Sequence, residues 1–209
     1  SLLNAQVRLG EWKSLTSILN VREIVGIDNI IYSATSGGIY KIDNNSSSII
    51  TTTEGLRGVD LGTITTDFQK NLWIGGNNPN GFIQIYDPIK ELSIKIFEFG
   101  LSAILDIKSN NLVSWALFAD GQELGLMKFI YEDKWNYRDS YINYPDNSGS
   151  INCFAVNDSI VFIGMSGGLY SCKISNNMKD PNNWNEVIVN FENSITSMDL
   201  IDNELFFTT

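Results

Sequence analysis

Histidine, the commonest general base and zinc ligand, is absent from the 209 residues. Its absence removes every Ser-His-Asp and Cys-His arrangement. The two cysteines, Cys153 and Cys172, form no CxxC and are too few for a metal cluster. Carboxylate pairs that could do acid–base work are Glu23 with Asp28 and Asp199 with Asp202. Each pair falls near a strand end, where turn acids and edge charges belong. Oxygen-rich runs of the kind calcium takes occur at 43–48 (DNNSSS) and 180–186 (DPNNWNE). Neither has the alternating acids, the glycine and the distal glutamate of an EF-hand loop, and turn-forming Asx residues account for both. These patterns predict no catalytic residue, no cofactor and no metal. The least patterned connection is LFADGQELG at 117–125. Its centre, Ala119, Asp120, Gly121, Gln122 and Glu123, is the candidate interaction loop.

Composition narrows the partners. Twenty-four acids against fourteen bases leave a net charge of −10. The lysines and arginines are scattered, whereas a phosphate backbone rewards clusters of them, so no nucleic-acid partner is expected. No apolar run reaches the roughly 18–20 residues needed to span a bilayer. An apolar content of 43% with 18% charged residues is that of a folded globular chain.

Positioning elements emerge from a repeat. Five runs share a polar turn followed by an apolar strand containing a bulky residue: DNIIYSAT (28–35), KNLWIGG (70–76), NNLVSWA (110–116), DSIVFIGM (158–165) and DNELFFTT (202–209). Aligned on Tyr32, Trp73, Val113, Phe162 and Phe206, they recur at steps of 41, 40, 49 and 44 residues. Another strand precedes each run, and in the first four runs a third follows a turn that carries glycine, as in SGGIYKID and SGGLYSCKI. A fourth strand follows, as in SIKIFEF (93–99), KWNYRDS (134–140) and NWNEVIV (183–189). Strand units of forty-odd residues with four antiparallel strands each predict an all-β chain, a β-propeller of four-stranded blades.

The expected organisation is a leader at 1–10, then a partial propeller over 11–209. Within it, blades occupy 21–52, 61–99, 102–141 and 151–190, with the start of a fifth at 195–209. EWKSLTS (11–17) matches the fourth strands and is expected to be the outer strand of the closing blade, with Trp12 in the place of Trp135 and Trp184. With about four and a half blades present, the propeller is expected to be incomplete, a piece of a longer protein lacking two or three blades. SLLNAQ at the start is expected to be the end of a secretory signal peptide.

Residues 55–76, GLRGVDLGTITTDFQKNLWIGG, resemble the repeat of two-component-regulator propellers at Gly55, Leu56, Ile64, Asp67, Leu72, Trp73, Ile74 and Gly75. Residues 10–43, with a Gly-x-Trp strand and an Ile-Tyr-x-Ala-Thr strand, resemble the opening of the N-terminal propeller of PorZ-type proteins of the type IX secretion system. The third unit departs most from that pattern. The resemblance implies an exported, non-enzymatic propeller in the periplasm or at the cell surface, serving as a platform for protein partners. It equally allows the extracytoplasmic sensor of a hybrid two-component regulator, recognising a carbohydrate-derived ligand. A third reading, a propeller hydrolase or lyase, requires a divalent ion on channel carboxylates.

Several residues receive structural expectations. Tyr32, Trp73, Phe162 and Phe206 are expected in the core between neighbouring blades, and Trp12, Trp135 and Trp184 as half-exposed rings on outer strands. Cys153 lies on a first strand and Cys172 on a third; strands one neighbour apart are about 9–10 Å apart, too far for a disulfide. Two buried thiols are expected. First strands contribute mainly Thr, Ser, Asp and Asn, which predicts a polar channel lining.

Overall fold

β-Branched and aromatic residues alternating with polar ones form eighteen short strands in the described residues of a computed structural model, which are 16–44, 46–145, 149–188, 194–202 and 204–209. The first sheet runs β1 (Val21–Ile27), β2 (Ile30–Thr35), β3 (Gly38–Asp43) and β4 (Ser46–Ile50). The second comprises β5 (Leu61–Thr66), β6 (Leu72–Gly76), β7 (Phe82–Asp87) and β8 (Leu92–Glu98). The third comprises β9 (Ala103–Asn110), β10 (Val113–Asp120), β11 (Glu123–Tyr131) and β12 (Trp135–Tyr141). The fourth comprises β13 (Ile151–Val156), β14 (Ile160–Met165), β15 (Gly168–Lys173) and β16 (Asn185–Ile188). A two-stranded fifth sheet holds β17 (Ser197–Ile201) and β18 (Glu204–Thr208). Every pairing is antiparallel and follows chain order, so each sheet is a simple meander. Among the described residues the sheets do not close into a ring.

First strands of successive sheets touch one another: β1 meets β5, β5 meets β9, β9 meets β13 and β13 meets β17. They therefore form the inner wall, and the fourth strands form the outer rim. A register shift interrupts the first strand of each four-stranded sheet near its start, leaving Arg22, Gly62, Leu105 and Asn152 as the extra residues. Such bulges sharpen strand twist and re-aim side chains.

Alternation sorts the strands of the second to fourth sheets between two neighbours. In β6, Leu72 and Ile74 face the first sheet, while Trp73 faces the third. In β10, Ala116 and Phe118 face the second sheet, while Trp115 and Leu117 face the fourth. The bulky residue of each second strand thus points to the next sheet along the chain. In the third sheet that residue is Trp115, not Val113, because β10 pairs with β11 across Trp115 and Lys128. Phe162 is half-buried against the fifth sheet. Phe206, expected in the core, is 51% exposed, since no sixth sheet meets its face among the described residues.

The outer-strand tryptophans are also buried, correcting the half-exposed expectation. Trp135 tilts inward against Trp73, ring centroids 4.8 Å apart at 82°. Trp184 donates its indole Nε1–H to the Met178 carbonyl at 3.1 Å. Gly75 shows why no side chain is tolerated in that motif, since a Cβ there would lie 2.7 Å from Ile104 Cγ2 of the third sheet. Asp180 caps a single 3-10 turn at Pro181–Asn183 by accepting from Asn182 N at 3.0 Å, so DPNNWNE is a turn as expected. Cys153 and Cys172 are free and buried on opposite faces of the fourth sheet, separated by β14. Burial pushes the Cys153 thiol up to about 11 and the Cys172 thiol upward as well. The leader and Trp12 lie outside the described residues.

Candidate functional site

Polar residues of the first strands turn toward the central space, where no neighbouring sheet can bury them. Two recesses result. The larger, about 450 Å³, lies where the first strands end, and Val25, Thr65, Ser109, Asn157 and Leu200 bring all five sheets to it. The smaller, about 260 Å³, lies where the first strands begin. All four bulge residues, Arg22, Gly62, Leu105 and Asn152, line it. Glu23 and Lys108 line both and mark the waist of the channel.

The charges at the waist engage one another. Glu23 does not stay at the strand edge with Asp28. Its Oε2 crosses to the second sheet, accepting from the Thr63 hydroxyl and from Ile64 N at 2.8 Å. Arg22 pairs with Asp60 at 2.7 Å and donates to the Leu61 carbonyl at 2.8 Å. Lys108 sits 3.8 Å from Asp106 on its own strand and 4.0 Å from Asp199 of the fifth sheet, a loose bridge across the channel. Asp28 and Asp202 both adopt positive φ, at 55° and 51°, as turn residues. The channel lining was legible as polar, but the roles of Lys108 and Asp106 were not, because strand spacing does not reveal which sheets face across a ring.

Asp106 has a measurable consequence. Burial raises its carboxyl to about 6 and the neighbouring Glu23 and Asp199 charges add to the rise, while Lys108 opposes it. A carboxyl raised in the folded state above its ordinary 3.8 favours folding while protonated. That contribution is complete below about pH 4 and is lost as pH rises through about 6. Asp106→Asn is therefore expected to gain on the order of 1–3 kcal/mol relative to the parent between pH 4 and pH 7. Urea midpoints of both proteins across that range test it; a constant difference between them would refute the assignment.

No aromatic ring lines either recess. Among the described residues no group of three or more His, Cys, Asp or Glu side chains is arranged to hold a metal ion. No described helix is long and apolar enough to cross a membrane, which says nothing of β-barrels. The expected interaction loop lies elsewhere. Asp120 pairs with Glu123, leaving Gly121 and Gln122 as a two-residue hairpin turn. Gly121 takes φ 61°, and its N–H donates to Ser102 Oγ at 2.9 Å. β10 and β11, at 8 and 9 residues, outrun the five- and six-residue second and third strands of the other four-stranded sheets, so the Ala119–Glu123 tip projects. It projects at the end away from the larger recess.

No family model matches this sequence, and no curated protein does. Solved structures do match. PorZ, a bacterial surface component of the type IX secretion system of Porphyromonas gingivalis, superposes with a TM-score of 0.63 at 14% identity, covering 93% of this chain and 32% of PorZ. The RRP9 WD40 repeats superpose at 0.65 and 14% identity, covering 90% of this chain and 57% of that one. The chain has the β-propeller fold. Its sheets are blades, and the extracellular domain of a hybrid two-component system from B. thetaiotaomicron shares them at a TM-score of 0.57 and 18% identity, over 90% of this chain and 26% of that one. This propeller arc therefore spans about a quarter to a third of the length of PorZ and of that sensor.

Proposed function

We propose that this propeller is an exported, non-enzymatic platform for protein partners, of the PorZ type, acting in the periplasm or at the cell surface. The observation that carries the reading is the resemblance of residues 10–43 to the opening of PorZ-type propellers. The channel agrees with it. Its charged side chains are held by the inner wall, Arg22 by Asp60, Lys108 between Asp106 and Asp199, and Glu23 by Thr63 and Ile64 N. The second reading, an extracytoplasmic sensor, is favoured by one feature: the polar 450 Å³ recess has room for a small polar ligand.

The test is deletion of the gene in its own host, scored in two ways. Under the platform reading, secreted cargo accumulates inside the cell while transcription in response to added glycans is unchanged. The reverse pattern, intact secretion with a lost transcriptional response, overturns it in favour of the sensor.

A further inference from the structure

On the face where the first strands end, the channel recess does not stop at the inner wall. Asn110, Val156 and Asn157 line both it and a narrow cleft of about 80 Å³ between blades 3 and 4. That cleft shares Asp158 and Ile174 with an open, mainly apolar groove of about 540 Å³. The three spaces form one radial trough from the channel outward. Trp115 floors its middle, and the Lys128 ammonium lies over that ring, 5.2 Å from the centroid. Lys128 makes no hydrogen bond or ion pair among the described residues. Its cross-strand neighbour Asp139 is paired with Lys179 at 2.7 Å, and Arg138 stands nearby. Asp158, the acid at the cleft, is held by Asn110 Nδ2 at 2.7 Å. Burial and Arg138 lower the Lys128 pKa more than Asp139, already committed to Lys179, raises it.

We propose that this trough binds an extended peptide of a partner protein, with a carboxylate side chain on Lys128 and apolar side chains in the groove beside Ile160 and Ile174. The inner end of the trough carries two acids, Glu23 and Asp199, against one base, Lys108, so the peptide enters the channel with a Lys or Arg. A long, open, narrow trough suits an extended chain, and its charges alternate in a way that fixes direction. The inference rests on the platform reading and names the surface that performs it.

The test uses the full-length protein and a fluorescein-labelled nonapeptide carrying Lys at one end, Asp at its centre and Leu on either side. Saturable anisotropy is expected, weakened about tenfold or more by Lys128→Glu, a loss of about 1.4 kcal/mol. A peptide with Lys in place of the central Asp is expected to bind Lys128→Glu better than it binds the parent. Lys128→Met keeps an apolar stem on Trp115 and is expected to weaken the Asp peptide while retaining the parent's thermal midpoint. Absence of saturable binding, or equal effects of Lys128→Glu on both peptides, overturns the proposal. If deletion of the gene still blocks secretion, that failure belongs to the trough and leaves the platform reading standing.

Discussion

In the chain of residues 1–209, Trp73→Ala is expected to cost on the order of 3–5 kcal/mol, whereas Phe206→Ala changes its stability by no more than about 0.5 kcal/mol. Both residues occupy the same place in the repeat, the bulky position of a second strand facing the next blade. Trp73 is fully buried, with the rings of Trp135 at 4.8 Å, Phe129 at 5.4 Å and Phe97 at 6.4 Å. Edge-to-face aromatic pairs add about 0.5–1.5 kcal/mol each beyond the area they bury. Truncation leaves a cavity at the joint of blades 2 and 3 that neither sheet can close without shifting its hairpins. Phe206 faces no further sheet among the described residues, so its truncation removes little. Urea unfolding of the two variants decides the matter, and equal losses would sink the account of how the blades stack. Since each blade is stabilised mainly by its neighbours, hydrogen exchange in Trp73→Ala should rise first in blades 2 and 3.

Asp67→Ala is expected to cost on the order of 3–4 kcal/mol, although it deletes only one small side chain. Asp67 is buried beyond the end of β5, and its carboxylate ties blade 2 to blade 3. Oδ1 accepts from Gln69 N at 2.9 Å and Asn71 N at 3.0 Å, closing the turn. Oδ2 accepts from Asn71 Nδ2 at 3.3 Å, from Trp73 Nε1 at 3.3 Å and from Trp135 Nε1 at 3.0 Å. Without it, two buried indole N–H groups lose their acceptor, and each such group costs about 1–3 kcal/mol. Trp135→Phe removes that N–H together with part of the buried indole, so it should cost about 1 kcal/mol more in the parent than in the Asp67→Ala background. A double-mutant cycle measures that coupling; additive losses would mean that the shared carboxylate is not the joint.

The repeat made much of this architecture readable beforehand. Strands with apolar residues at alternate positions announce themselves because one face must be buried, and glycines at Ser-Gly-Gly mark hairpins through the backbone geometry they permit. The motif Asp67…Leu72-Trp73-Ile74-Gly75 was readable as a pattern, yet its reason was not. Only the fold brings Trp135, 68 residues away, onto the same oxygen. Val113 was misaligned for a related cause: β10 begins earlier relative to its bulky residue than β6 does, and pairing partners, not spacing, set which residue faces the next blade. The hairpin at Ala119–Glu123 looked like a loose connection because its flanking strands are longer than their counterparts, not because the turn is long.

By itself, then, the amino-acid order determined the strands, their grouping in fours, the buried thiols and the polar inner wall. These follow from local rules, in which side-chain period and turn chemistry act over a few residues. The tertiary structure alone decided where the charges meet. Bulges at Arg22, Gly62, Leu105 and Asn152 re-aim residues into one recess, Lys108 reaches Asp199 across the channel, and Lys128 is set over Trp115 while its cross-strand neighbour Asp139 pairs with Lys179. Those relations join residues tens of positions apart, and the radial stacking of sheets, which no local pattern encodes, sets the distances between them.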